Sequence, residues 1–145
     1  MAKNRSKQQA PVQAPADGRA ARILACSLFF NTFEKYKTNK AVLQALREFI
    51  IHKRANPMTP FGGKDYPFRG GHLKGYGHAG LNFDVSVIYN LLGAMPKLIH
   101  LYGIFSHDDI GTGTPPRLKM QAKVASVLDR QTDFKPLEKV DESAR

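Results

Sequence analysis

The sequence predicts an α+β domain in which a small antiparallel β-sheet carries helices packed on one face. Three observations predict it. Residues 39–54 carry the apolar stripe of an amphipathic helix, three β-rich segments then follow one another across tight turns, and a second helical stripe comes before a polar tail. Consecutive hairpin strands pair antiparallel, and a striped helix must bury its apolar side against something. With 145 residues the chain fits one core.

Residues 1–20 (MAKNRSKQQAPVQAPADGRA) carry Lys3, Arg5, Lys7 and Arg19 with three glutamines and two prolines. So little apolar surface cannot offset the entropy of ordering, and the stretch reads as a disordered basic arm. Both a solubilising tail and a phosphate-contacting arm fit it. The folded part is then residues 21–131, a single domain, and the mixed-charge residues 132–145 read as a flexible tail.

Residues 22–33 (RILACSLFFNTF) are rich in β-formers and aromatics, which predicts a buried strand. In the helix that follows, Ala41, Val42, Ala45, Leu46, Phe49 and Ile50 form the stripe, Thr38 or Asn39 caps it, and Asn56-Pro57 ends it. The Pro- and Gly-rich residues 57–71 form a surface loop. A β-meander comes next: residues 72–79 alternate, residues 84–92 and 97–106 are β-branched runs, and residues 93–96 turn between them. Pro115-Pro116 opens the last helix, over residues 117–129.

Charge narrows the partners. Twenty-two Lys and Arg against twelve Asp and Glu leave a formal charge of +10, so nucleic acid or acidic substrates lead. No stretch approaches the roughly 18–20 continuous apolar residues of a membrane helix, which excludes a spanning segment. The single Cys26 has no partner for an internal disulfide, and no secretory signal pattern opens the chain, which together point to the cytoplasm.

In an extended strand, period two places His72, Lys74, Tyr76 and His78 on one face, with Arg69 at its edge. These are the side chains an RNA groove uses: cations for phosphate, Tyr for stacking, His for proton movement near neutral pH. The bland alternative is a solvent-facing strand. His107 ends the last strand beside Asp108 and Asp109, a place suited to acid–base work or to capping the loop. Without a second cluster at ligand spacing, His-Asp-Asp is no metal site, and no metal or other cofactor is expected. Gly111 to Pro116 lacks the ending of a phosphate loop and reads as a connector. Cys26 reads as a core residue, and His52 as a partner of its helix terminus.

The stretches Lys64-Asp65-Tyr66-Pro67-Phe68, Leu73-Lys74-Gly75-Tyr76, Asp84, Ile88-Tyr89 and Phe105-Ser106-His107 resemble, in order and spacing, the RelE superfamily of toxin endoribonucleases, YafQ-like branch. The resemblance covers about residues 22–111. It implies a small curved antiparallel sheet, and metal-independent cleavage of mRNA, usually on the ribosome, by attack of a 2′-hydroxyl on phosphorus. It also implies a small antitoxin partner. Carried over by position, the family's C-terminal histidine falls on His107, its aspartate on Asp84 and its lysine on Lys74. Three family positions differ: two histidines fall on Tyr66 and Gly80, and an arginine on Gly103. His78, two residues before Gly80, lies on the same strand face and is the candidate replacement, giving His78, His107 and Asp84 as catalytic candidates. Arg69, His72, Lys74 and Tyr76 are the RNA-binding candidates. The alternative is a catalytically inactive relative that binds RNA or the ribosome and blocks or remodels translation.

Overall fold

A computed structural model of the protein describes residues 21–93 and 98–137. The basic arm at 1–20, most of the turn at 93–96 and the tail after 137 lie outside the described residues. The architecture is α+β, with six strands in one open sheet among the described residues.

The strand expected at 22–33 is short. β1 (Arg22–Ala25) stops at Cys26, and α1 (Ser27–Tyr36) takes the aromatic run. Phe29, Phe33 and Tyr36 recur at i, i+4 and i+7, so the run suits a helix as well as a strand. A distant group favours the helix. The Asp133 carboxylate, 106 positions away, accepts hydrogen bonds from the Ser27 N–H, at 3.3 Å, and from its hydroxyl. It brings to the α1 N-terminus the anion that the helix's own first turn lacks.

α2 (Lys40–Ala55) forms where its stripe predicts, burying Val42, Leu46, Phe49 and Ile50. Asn39 caps it, its Oδ1 accepting from the Val42 N–H at 3.1 Å. Asn39→Ala is expected to lower stability by about 1 kcal/mol. The measurement is a denaturant midpoint at constant m-value, and an unmoved midpoint would deny the cap any role.

The remaining strands are β2 (Asp65–Pro67), β3 (Gly77–Gly80), β4 (Val85–Leu92), β5 (Leu98–Ser106) and β6 (Lys135–Pro136), in the order β2-β3-β4-β5-β1-β6. The meander β2 to β5 is antiparallel throughout. β1 instead joins β5 in parallel, Ile23 beside Ile99, so the sheet is mixed rather than wholly antiparallel. No hairpin links these two strands; α1, α2 and the meander lie between them, and so long a connection permits a parallel return.

Helices cover both faces, not one. Val85, Val87, Ile99 and Leu101 pack with Phe29 of α1 and with Leu46 and Phe49 of α2. On the opposite face Leu73, Tyr76, Ile88, Tyr102 and Ile110 meet Ala125 and Leu128 of α4 (Leu118–Asp129). β4 is buried without a break from Val85 to Tyr89, the pattern of a strand covered on both sides.

Residues 72–79 are not one strand. Gly71 (φ 75°) and Gly75 (φ 99°) take left-handed backbone and fold residues 71–75 into a turn, so extension begins only at Gly77. The tail, expected to be loose from residue 132, is seated through residue 137. Phe134 stacks on His100 with centroids 3.7 Å apart, β6 pairs with β1, and Leu137 is buried.

Candidate functional site

The turn between β3 and β4, the end of β5 and the short α3 (His107–Ile110) meet at one end of the sheet, where Val85 pairs with Ser106. His107 opens α3. Its backbone N–H donates to the Asp84 backbone oxygen and to Asp84 Oδ1, both at 3.2 Å. Its ring Nδ1 is hydrogen-bonded to Thr112 Oγ1 at 3.0 Å, and the ring is exposed. Ser106 and Asp109 complete a capping box around α3, which fixes the backbone beneath the imidazole. Asp84 is held in turn: Asn82 Oδ1 accepts from the N–H groups of Asp84 and Val85, at 2.8 and 2.7 Å. Tyr36 belongs to the same neighbourhood. Burial pushes its hydroxyl pKa up, and the charges of Asp109 and Asp84 push it further.

His78 sits in β3 between Tyr66 of β2 and Ile88 of β4. Its ring stacks on Phe68, with centroids 4.1 Å apart and planes at 16°, and meets Tyr66 edge-on at 4.7 Å. Its Nδ1 is buried with no hydrogen-bond partner. Burial pushes its pKa below the ordinary histidine value, the Asp65 carboxylate opposes that, and the charge of His107 adds to it.

The same burial makes stability depend on pH. His100, stacked under Phe134, is also shifted down by burial. For both groups the unfolded chain binds the proton more readily, so their contribution is whole above the unfolded pKa, near 6.5, and is lost as pH falls towards the folded values. Denaturation midpoints are expected to drop from pH 7.5 to pH 5, and less so in His78→Gln. An identical drop in that variant would remove His78 from the account.

The other candidates are spread out. Arg69, His72 and Lys74 are exposed in the loop before β3, at the strand end opposite Asp84 and His107. Tyr76, expected on the open face, is buried, and its hydroxyl donates to Asp129 of α4. The period-two argument failed here because the turn at 71–75 breaks the strand on which it relied. Cys26 is a core residue as expected, its thiol facing the Leu101 and Tyr102 carbonyls. His52 reaches not the helix end but the loop beyond it, donating from Nε2 to the Thr59 carbonyl at 2.8 Å.

Sequence reasoning missed the groups that hold the site. Tyr66 and Phe68, two apart in the sequence, clamp His78, and their alternating aromatic spacing was the available signal. Beneath them lies an ion pair: Lys53 Nζ stands 2.7 Å from Asp65 Oδ2, both side chains almost wholly buried. Asp65 also accepts from the Phe61 N–H at 2.7 Å and from the Tyr89 hydroxyl. Nothing local in the sequence pairs Lys53 with Asp65.

Two of the three departures have a physical counterpart. At Gly103 a Cβ would stand 2.5 Å from the Phe105 ring, so that ring fills the space a larger side chain would need. At Gly80 a Cβ would stand 3.2 Å from Lys64 Cβ, a tight but not prohibitive approach. Among the described residues, no three His, Cys, Asp or Glu side chains stand together as a metal-ligand set.

No family model matches the chain, and no curated protein matches its sequence. Solved structures do match. YafQ from E. coli strain BL21(DE3) superposes with a TM-score of 0.51 at 18% identity, over 61% of this chain and 94% of that one. The fold is that of the YafQ toxin. YafQ in the E. coli DinJ–YafQ toxin–antitoxin complex gives 0.51 at 19% identity over the same shares, 61% and 94%. A copper-bound mutant toxin from Helicobacter pylori gives 0.52 at 21%, over 62% of this chain and 98% of that one. Nearly all of each toxin is thus matched by about three-fifths of this chain. The rest is additional to the YafQ fold. No described helix is long and apolar enough to cross a membrane.

Proposed function

We propose that the protein is an RNA-cleaving toxin that acts on mRNA, on the ribosome, and is held in check by a small antitoxin. The observation that carries the reading is an exposed imidazole, His107, anchored through its backbone on Asp84 at one end of the sheet, with a second imidazole, His78, clamped by Phe68 and Tyr66 on β3. In the reaction the ribose 2′-oxygen attacks the adjacent phosphorus while its proton passes to His78. The bond from phosphorus to the 5′-oxygen breaks, and His107 delivers a proton to that oxygen. The products are a 2′,3′-cyclic phosphate and a 5′-hydroxyl. Arg69, His72 and Lys74, exposed on the loop before β3, attract the flanking phosphates, as the net charge of +10 favours. The likeness to YafQ, solved together with DinJ, supports the antitoxin partner.

The test is incubation of the purified protein with labelled mRNA in a chelator, with and without ribosomes. Products with cyclic-phosphate and 5′-hydroxyl ends are expected. Intact RNA in both conditions overturns the reading. One observation favours the binding-only alternative: the Phe105 ring lies where the family's arginine would project from position 103. On that alternative the ribosome or RNA is bound with salt-sensitive affinity and left uncut.

A further inference from the structure

We propose that Phe83 is a stacking platform for a base of single-stranded RNA, with Lys64, which lines the cleft next to Asn82, taking a phosphate of the same strand. This rests on the RNA reading above and adds a subsite to it. Phe83 is 86% exposed, the most exposed large hydrophobic side chain among the described residues. A lone exposed apolar residue needs no explanation by itself. Its support does. Its neighbours Leu81 and Val85 are buried, and the turn is tied by Leu81 N–H to Val85 O at 2.7 Å and by Asn82 N–H to the same oxygen at 3.2 Å. Asn82 Oδ1 closes the turn from inside by accepting from Asp84 and Val85. The ring is thus carried outward on a backbone fixed before any partner arrives, which lowers the ordering cost of binding.

The surroundings select the partner. Asp84, next in the chain, anchors the His107 backbone, so Phe83 directly precedes a residue of the candidate site. Asn82, the residue before it, lines a cleft of about 310 Å³ together with Gly62, Gly63, Lys64 and Gly80. The Lys64 side chain is exposed and makes no ion pair among the described residues. An aromatic face with a cation beside it is what a nucleotide with an unstacked base requires, whereas a duplex hides its base faces.

The experiment measures the anisotropy of a short labelled single-stranded RNA with methylated 2′-hydroxyls, which blocks cleavage, against the full chain. Phe83→Ala is expected to weaken binding about 5- to 150-fold. Phe83→Tyr is expected to bind like the native chain, and a duplex probe to be indifferent to both changes. Equal affinity of Phe83→Ala for the single strand, or no binding by the native chain, overturns the proposal. Equal affinity would leave the exposed ring to a protein partner instead. A parallel cleavage assay separates the two readings: binding that depends on Phe83 without cutting refutes only the nuclease, and cutting with binding indifferent to Phe83 refutes only the platform.

Discussion

His107→Ala is expected to lower the rate of RNA cleavage by a factor on the order of 10² or more, with RNA binding and fold unchanged. The fold survives because the ring is exposed and its packing role is small. The contacts that fix residue 107 use its backbone N–H, which alanine keeps. What alanine removes is the imidazole proposed to donate the proton, and its one bond to Thr112. Single-turnover cleavage of labelled RNA measures the loss, and imidazole added to the variant is expected to restore part of the rate. A purely structural defect would not respond to imidazole. A native rate in the variant would take His107 out of the chemistry.

The second large effect is on stability. Asp65→Ala is expected to cost about 3–5 kcal/mol, because it strands Lys53 as a buried, unpaired charge. Lys53 is 2% exposed and reaches, besides Asp65, only the Thr59 carbonyl at 3.0 Å, the Pro57 carbonyl at 3.4 Å and the Tyr89 ring at 5.3 Å. The same carboxylate holds the Tyr89 hydroxyl and the Phe61 N–H, so alanine leaves a buried donor open as well. Asp65→Asn keeps the acceptor and the shape and is expected to lose less. Denaturant unfolding at pH 7 reads both variants, and a loss below about 1 kcal/mol in Asp65→Ala would mean that water replaces the carboxylate. Since Tyr66 follows Asp65 directly, the clamp on His78 is expected to loosen with it.

The elements that were legible in the sequence are those whose signal is local. The α2 stripe and its Asn39 cap, the long hairpin of β4 and β5 and the last helix each carry their pattern within one contiguous stretch of sequence. The elements that were misread depend on distant partners. Residues 27–33 are helical with an N-terminal anion lent by Asp133, and the stretch up to residue 137 is seated by Phe134 stacking on His100. The parallel pairing of β1 with β5 leaves no trace at either strand. At the site, Asp84 and His107 were legible from motif and strand position, and their contact is direct. His78 was legible as a residue but not as a ring clamped between Tyr66 and Phe68, because that requires the β2–β3 register. Tyr76 was misassigned when a turn with two left-handed glycines was taken for extended chain.

β1 runs beside β5 in the same direction and β6 returns along β1, so Ala21 and Leu137 both lie towards the Leu98 end of the sheet, away from Ser106. The two ends of the described chain thus share one corner of the sheet. A handle joined directly at position 21 or 137, in a chain trimmed to those residues, will therefore hold the molecule by the Leu98 end of the sheet, with the imidazole of His107 at the other end. Immobilised protein should for that reason keep whatever chemistry the free protein has.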